Sequence, residues 1–116
     1  MLAGLRSDLR AWLVSVRTPR DALEEIVLAA SEAVANAIEH AAPPVHRMVE
    51  VEASLADEEV VVAVQDFGTW REPMEDSDRG RGFVLMRALM DDVAVEAAPL
   101  GTRVTMRRRL TQPVRV

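Results

Sequence analysis

The sequence predicts an α+β fold, a two-layer α/β sandwich whose mostly antiparallel mixed sheet carries its helices on one face. Three observations lead there. Apolar residues keep helical spacing through two N-terminal stretches, the period switches to two after Pro43-Pro44, and the later strands are joined by links too short for a crossover. Strands joined that closely pair as hairpins. The 116 residues fit a single domain over 1–116 with one real core.

Leu5, Leu9, Trp12, Leu13 and Val16 predict a first helix over Leu5–Val16. Thr18-Pro19-Arg20-Asp21 then supplies a threonine N-cap, a proline at the first helical position and an early acid. The second helix runs from Pro19 to Ala41, ends at Pro43-Pro44, and places Leu23, Ile26, Val27, Ala30 and Val34 in the core. Val49, Val51, Ala53 and Leu55 alternate with Glu50, Glu52 and Ser54, as in a strand with one wet face. Asp57-Glu58-Glu59 is a polar turn, and Val60–Val64 is a β-branched run suited to a central strand. Arg71–Arg81, with Pro73 and Gly80, reads as a loop. Helical spacing returns with Phe83, Leu85, Met86, Leu89 and Met90. Val93, Val95 and Ala97 alternate, Pro99-Leu100-Gly101 turns the chain, and Thr102–Leu110 is a last strand.

Composition narrows the function. At 49% hydrophobic and 28% charged residues the chain is too apolar for disorder. It has no cysteine, which removes disulfides and thiolate metal sites and suits a reducing compartment. No segment approaches the roughly 20 apolar residues of a membrane span, and no signal peptide is apparent, so the expectation is a soluble cytoplasmic protein. A net charge of -5 argues against direct nucleic-acid binding, which needs a positive field over phosphates. All 14 lysine-plus-arginine positions are arginine, whose planar fork suits phosphate and carboxylate partners.

Four segments carry candidate chemistry. In Glu32-Ala33-Val34-Ala35-Asn36-Ala37-Ile38-Glu39-His40-Ala41, Glu32, Asn36 and His40 share one helical face. A carboxylate and an amide one turn apart offer oxygen ligands to Mg²⁺; alone, they are equally the polar face of a surface helix. Asp66-Phe67-Gly68 puts an acid at the end of a buried strand, able to accept a hydrogen bond from an exocyclic amine, or to make an ordinary turn. Arg79-Gly80-Arg81-Gly82-Phe83 opens a helix with two glycines, a cradle for phosphate or a flexible loop; it is not a Walker loop, because no G-K-[ST] follows. Leu100-Gly101-Thr102 is a hairpin turn whose threonine hydroxyl could support the acid.

In this order and spacing, EAVANAIEHA, DFGTW, a loop, GRGF and then GT closely resemble the ATPase superfamily of gyrase, Hsp90, histidine kinases and MutL (GHKL). Within it the chain is most similar to anti-sigma-factor serine/threonine kinases with an HATPase_c-type domain, from about Leu5 to Leu110. The resemblance implies the Bergerat ATP-binding fold, with ATP between sheet and lid and Mg²⁺ bridging the phosphates. Asn36 is then the Mg²⁺ ligand, and Glu32 the general base or the group that orients the attacking hydroxyl. Asp66 binds the adenine amine, Gly68 leaves room for the ring, and Thr102 assists. Gly80 and Gly82 bring backbone amides to the phosphates, and Arg79 and Arg81 neutralise charge. The implied activity is ATP-dependent phosphorylation of a STAS-type anti-sigma-factor antagonist, together with sequestration of a sigma factor. The alternative is a nucleotide-binding interaction module that regulates the sigma factor by binding only.

Two departures from the family pattern stand out. Some relatives carry a lid arginine two residues before the first glycine; here that position is Asp78 and Arg79 follows it. Family members usually begin with a strand, whereas this chain starts almost in the helix. That implies a domain excised from, or lacking the N-terminal strand of, a longer protein, and it bears on whether a homodimer forms, since related kinases pair through that region. A histidine-kinase catalytic domain is a less apt parallel, because no dimerising helix pair precedes the domain and the lid is short. His40 and His46 lack zinc spacing. Trp12 reads as core or dimer surface, and Trp70 as a neighbour of the nucleotide or an anchor of the lid. Met86 and Met90 read as core, and Arg107-Arg108-Arg109 as a solvated edge that discourages strand pairing.

Overall fold

A computed structural model of the chain describes residues 2–40, 49–67, 77–98 and 101–110. Helices α1 (Leu2–Ser15) and α2 (Arg20–His40) come first, then strands β1 (Val49–Ala56) and β2 (Glu59–Asp66). Helix α3 (Ser77–Leu89) and strands β3 (Asp92–Ala98) and β4 (Gly101–Arg109) complete the order. The sheet runs β1-β2-β4-β3, and every pairing is antiparallel.

Local chemistry explains the boundaries. Helix α1 ends in a Schellman arrangement: Thr18 N donates to Leu13 O and Arg17 N to Val14 O, with Arg17 at φ 61. The first intrahelical bond of α2 is Leu23 N to Pro19 O, so the cap lies one residue later than the sequence predicts. The Thr18 hydroxyl is buried and makes no hydrogen bond among the described residues. The β1–β2 hairpin closes at Ala56–Glu59, leaving Asp57 and Glu58 at φ 52 and 61. Positive φ at both residues matches the right-handed strand twist of a two-residue hairpin.

The core follows from the pleat. One apolar row crosses the sheet as Ala53, Val62, Met106 and Val93, and the next as Val51, Val64, Val104 and Val95. Against these rows α2 lays Leu23, Ile26, Val27, Ala30 and Val34, all buried, while α1 adds Leu9 and Leu13 and α3 adds Met86 and Met90. Trp12 is half-buried against this core. Leu55, predicted on the core side of β1, is 38% exposed. Trp70 and His46 lie outside the described residues, and among those described no helix is long and apolar enough to cross a membrane.

Two further sequence expectations change. Helix α3 begins at Ser77, so Arg79, Gly80, Arg81 and Gly82 lie inside it instead of preceding it. Glycine weakens a helix by only about 1 kcal/mol relative to alanine, and packing on α2 outweighs that. The Arg107–Arg109 strand is not an edge: β4 is paired on both sides. Its arginines serve cross-strand and helix contacts instead. On the helix-free face Arg107 pairs with Glu59, and Arg103 with Glu52, each at 3.2 Å, while Arg108 reaches the helices.

Helices α1 and α2 are clipped by Arg10 and Glu24, which share two hydrogen bonds, one of them 3.1 Å from Nη2 to Oε2. Those bonds hold the Glu24 carboxyl below its usual 4.5; a slight loss of hydration opposes them, and the charges of Arg10 and Arg20 add to the lowering. A depressed folded-state value means the stabilisation is full above the unfolded value and is lost as pH falls through the folded one. Glu24→Gln is therefore expected to lower Tm slightly at neutral pH, with the gap closing in acid below 4.5 and in high salt. Thermal unfolding across pH checks this; a gap independent of pH contradicts it.

Candidate functional site

Asp66 is the residue around which the site is built. On β2 the inward positions are Val60, Val62 and Val64, and the next is Asp66, so an acid occupies what the alternation makes a core position. It is only 4% exposed. A buried carboxylate needs polar partners, and Thr102 N donates to its Oδ1 at 3.3 Å. The threonine contributes through its backbone; its hydroxyl is buried and has no hydrogen-bond partner among the described residues.

Gly101 makes this contact possible. Its φ is +141, and a Cβ there would stand 1.9 Å from the Asp66 carbonyl oxygen. Only a residue without a side chain lets the start of β4 approach the end of β2 so closely. In the sequence Gly101 is an ordinary turn glycine, with no sign of the backbone contact it serves.

Asn36 is the second fixed point. It is 8% exposed, and its Nδ2 is buried without a partner among the described residues. A Cβ on Gly82 would lie 2.6 Å from that nitrogen, so α3 backs directly onto the amide. A small cavity of about 10 Å³ lies here, lined by Ala33, Asn36, Ala37, Val64, Asp66, Phe83, Met86 and Val104. It is roughly the size of one water. The alanines of α2 thin its wall, and Phe83 and Met86 of α3 form the opposite side. Sequence periodicity marked both only as helix core, and Arg87 stacks 5.6 Å from the Phe83 ring centroid.

The structure thus gathers Asn36, Asp66, Gly82 and Thr102. Glu32 lies one turn before Asn36 on the α1 side. It is half-buried, has no partner among the described residues, and lines a groove of about 560 Å³ with Arg6, Ser31 and Ala35. Arg79, Gly80 and Arg81 lie in the first turns of α3, and their side chains are outside those described; Gly68 is outside the described residues altogether. Among the described residues no three His, Asp or Glu side chains cluster as a metal cage. Two polar side chains line the small cavity: the Asn36 amide, whose Nδ2 donor finds no partner among the described residues and suits an acceptor atom of a ligand, and the Asp66 carboxylate.

Two glycines separate the backbone requirement from propensity. Gly101→Ala is expected to cost at least about 1–3 kcal/mol, because the clash is with backbone and φ is strained. Gly4, in the first turn of α1 with open space around it, should instead gain stability as alanine, by at most about 0.5–1 kcal/mol. Urea unfolding of both variants checks the pair; a neutral Gly101→Ala contradicts the Asp66 contact.

The likenesses to known proteins agree with this fold. The chain is 30% identical over 118 positions to the anti-sigma F factor of Clostridium kluyveri, covering 89% of this chain and 82% of that one. It is 26% identical over 121 positions to the anti-sigma F factor of Bacillus subtilis, covering 92% and 83%. Among solved structures it superposes on the crystal structure of the RsbU and RsbW domains of a Mycobacterium tuberculosis protein. That match has a TM-score of 0.78 and 31% identity, and it spans 98% of this chain and 30% of the other. A histidine kinase domain from Erythrobacter litoralis matches with a TM-score of 0.66 and 25% identity, over 79% of this chain and 46% of that one. Residues 1–108 match the histidine kinase-like ATPase domain, and the chain belongs to that family.

Proposed function

We propose that this chain binds ATP with Mg²⁺ where α2, β2, α3 and β4 meet, and transfers the γ-phosphate to a serine or threonine of an anti-sigma-factor antagonist. In the alternative complex it sequesters a sigma factor. The observation that carries this reading is the convergence of the buried Asn36 amide and the buried Asp66 carboxylate on one cavity, with the Thr102 hydroxyl unpartnered beside them. The anti-sigma F factors and the RsbW-domain structure supply the physiological setting.

ATP would supply the phosphoryl group, and Mg²⁺ would screen its charge. An ionised Asp66 accepts only, which suits the exocyclic amine of adenine. The Thr102 hydroxyl is free to bond the same ring. Asn36 Oδ1 is the oxygen donor for the cation. Glu32, on the α1 side of Asn36, would orient the acceptor hydroxyl and receive its proton. Phosphoryl transfer passes through a loose transition state, so positioning outweighs proton removal. Loss of Asn36 should therefore hurt at least as much as loss of Glu32.

A second reading, a module that holds nucleotide and sigma factor without phosphotransfer, is favoured by Asp78 in the place of a lid arginine and by Glu32 lying outside the Asn36 cavity. Incubation with labelled ATP, Mg²⁺ and STAS-type antagonists separates the two. The kinase reading expects label on the antagonist, lost in Asn36→Ala and Glu32→Ala; bound nucleotide with no transfer to any antagonist establishes the second. Asp66→Ala should lose about 1.5–3 kcal/mol, or one to two orders of magnitude in ATP affinity. Unchanged affinity in a titration would contradict the site assignment.

A further inference from the structure

The inward side of β4 reads Thr102, Val104, Met106, Arg108: polar at both ends and apolar between. Thr102 meets Asp66 at one end. At the other, Arg108 Nη2 bonds Glu25 of α2 at 3.0 Å, and Arg108 Nη1 bonds the carbonyl of Leu89, the last residue of α3. One guanidinium therefore ties β4, α2 and α3 together. A cation is favoured at a helix C-terminus, where carbonyls are left unpaired. The turn beyond is stitched to the same strand, by Asp91 N to Arg107 O and by Arg109 N to Asp91 Oδ2.

The two helices run antiparallel, touching at Gly82–Asn36 and clamped at Leu89–Arg108–Glu25. Gly82 and Leu89 are seven residues apart, about 10 Å along α3. Glu25, Glu32 and Asn36, spaced by seven and four, share one face of α2. A rigid helix held at one end transmits its angle to the other, so the clamp sets how closely the first turns of α3 stand over Asn36. Phe83 and Met86, the α3 walls of the cavity, lie between the two contacts.

We infer that Arg108 is a positioning residue for the nucleotide site: by fixing the C-terminal end of α3 against Glu25 and β4, it orders the opposite end of that helix around Asn36. This rests on the nucleotide-binding reading above and adds a residue far from the cavity to it. Lysine is a poor substitute, since it carries the charge without the planar fork that reaches two acceptors at once.

The test is ADP and ATP binding with Mg²⁺ by calorimetry, alongside amide hydrogen exchange of the nucleotide-free protein, on wild type, Arg108→Gln, Arg108→Lys and Glu25→Gln. Arg108→Gln is expected to bind nucleotide about three- to tenfold more weakly, with Arg108→Lys recovering part of the loss. Its exchange should quicken from the last turn of α3 up to Gly82 and Phe83. A merely structural clamp would lower Tm and fray only the turn at Leu89. Should Arg108→Gln not fold, Glu25→Gln leaves every apolar contact in place and should show the same two changes. Wild-type affinity in folded variants, or faster exchange confined to the last turn, overturns the role of Arg108 while leaving the nucleotide site standing. No binding by the wild type overturns both.

Discussion

No side chain fits between Gly101 and the carbonyl of Asp66, and that contact sets the geometry of the whole upper edge of the sheet. It brings the first residues of β4 onto the last of β2, aims the Thr102 amide at the Asp66 carboxylate, and keeps that carboxylate buried in a row otherwise made of valines. An ionisable group so deep is stable only with fixed polar neighbours. One such neighbour is the Thr102 backbone amide, while the Thr102 hydroxyl has no partner among the described residues. The same logic applies across the cavity. Asn36 is buried by α3, and its amide nitrogen has no hydrogen-bond partner among the described residues. Groups like these are costly unless something outside the chain completes them.

The rest of the molecule makes that arrangement rigid. Two apolar rows span all four strands, and α2 lies across them with alanine wherever the backbone must come close, at Ala29, Ala30, Ala33 and Ala37. Small residues let α3 approach on one side while α1 packs on the other. The polar ends of β4 make separate contacts, Thr102 with Asp66 and Arg108 with the C-terminal end of α3. Charges on the helix-free face of the sheet, Arg103–Glu52 and Arg107–Glu59, are exposed and add little to stability.

Periodicity made the elements legible. The core stripe of α2, the one-sided alternation of β1 and the continuous run of β2 each follow from a single physical requirement, the burial of one face. The site was legible in a different way, through the order of four short segments that individually fit ordinary turns and helix faces. What escaped sequence reasoning depended on tertiary contact. The start of α3 at Ser77 was hidden because two glycines argue against helix, and only packing on α2 overrides them. The cap at Arg17 was hidden because an arginine, not a glycine, adopts the left-handed conformation. Arg108 looked like one of three solvated charges, since nothing in RRR tells which residue faces inward until the strand register is known. Gly101 looked like any hairpin glycine for the same reason.

The central claim is that one nucleotide engages α2, the end of β2, the start of β4 and α3 together. Nuclear magnetic resonance of ¹⁵N-labelled protein titrated with ATP and Mg²⁺ measures this most directly. The side-chain amide of Asn36 and the backbone amides of Gly82 and Thr102 should shift together along a single saturation curve. Saturable shifts confined to the groove between α1 and α2, with those three signals unmoved, would contradict it.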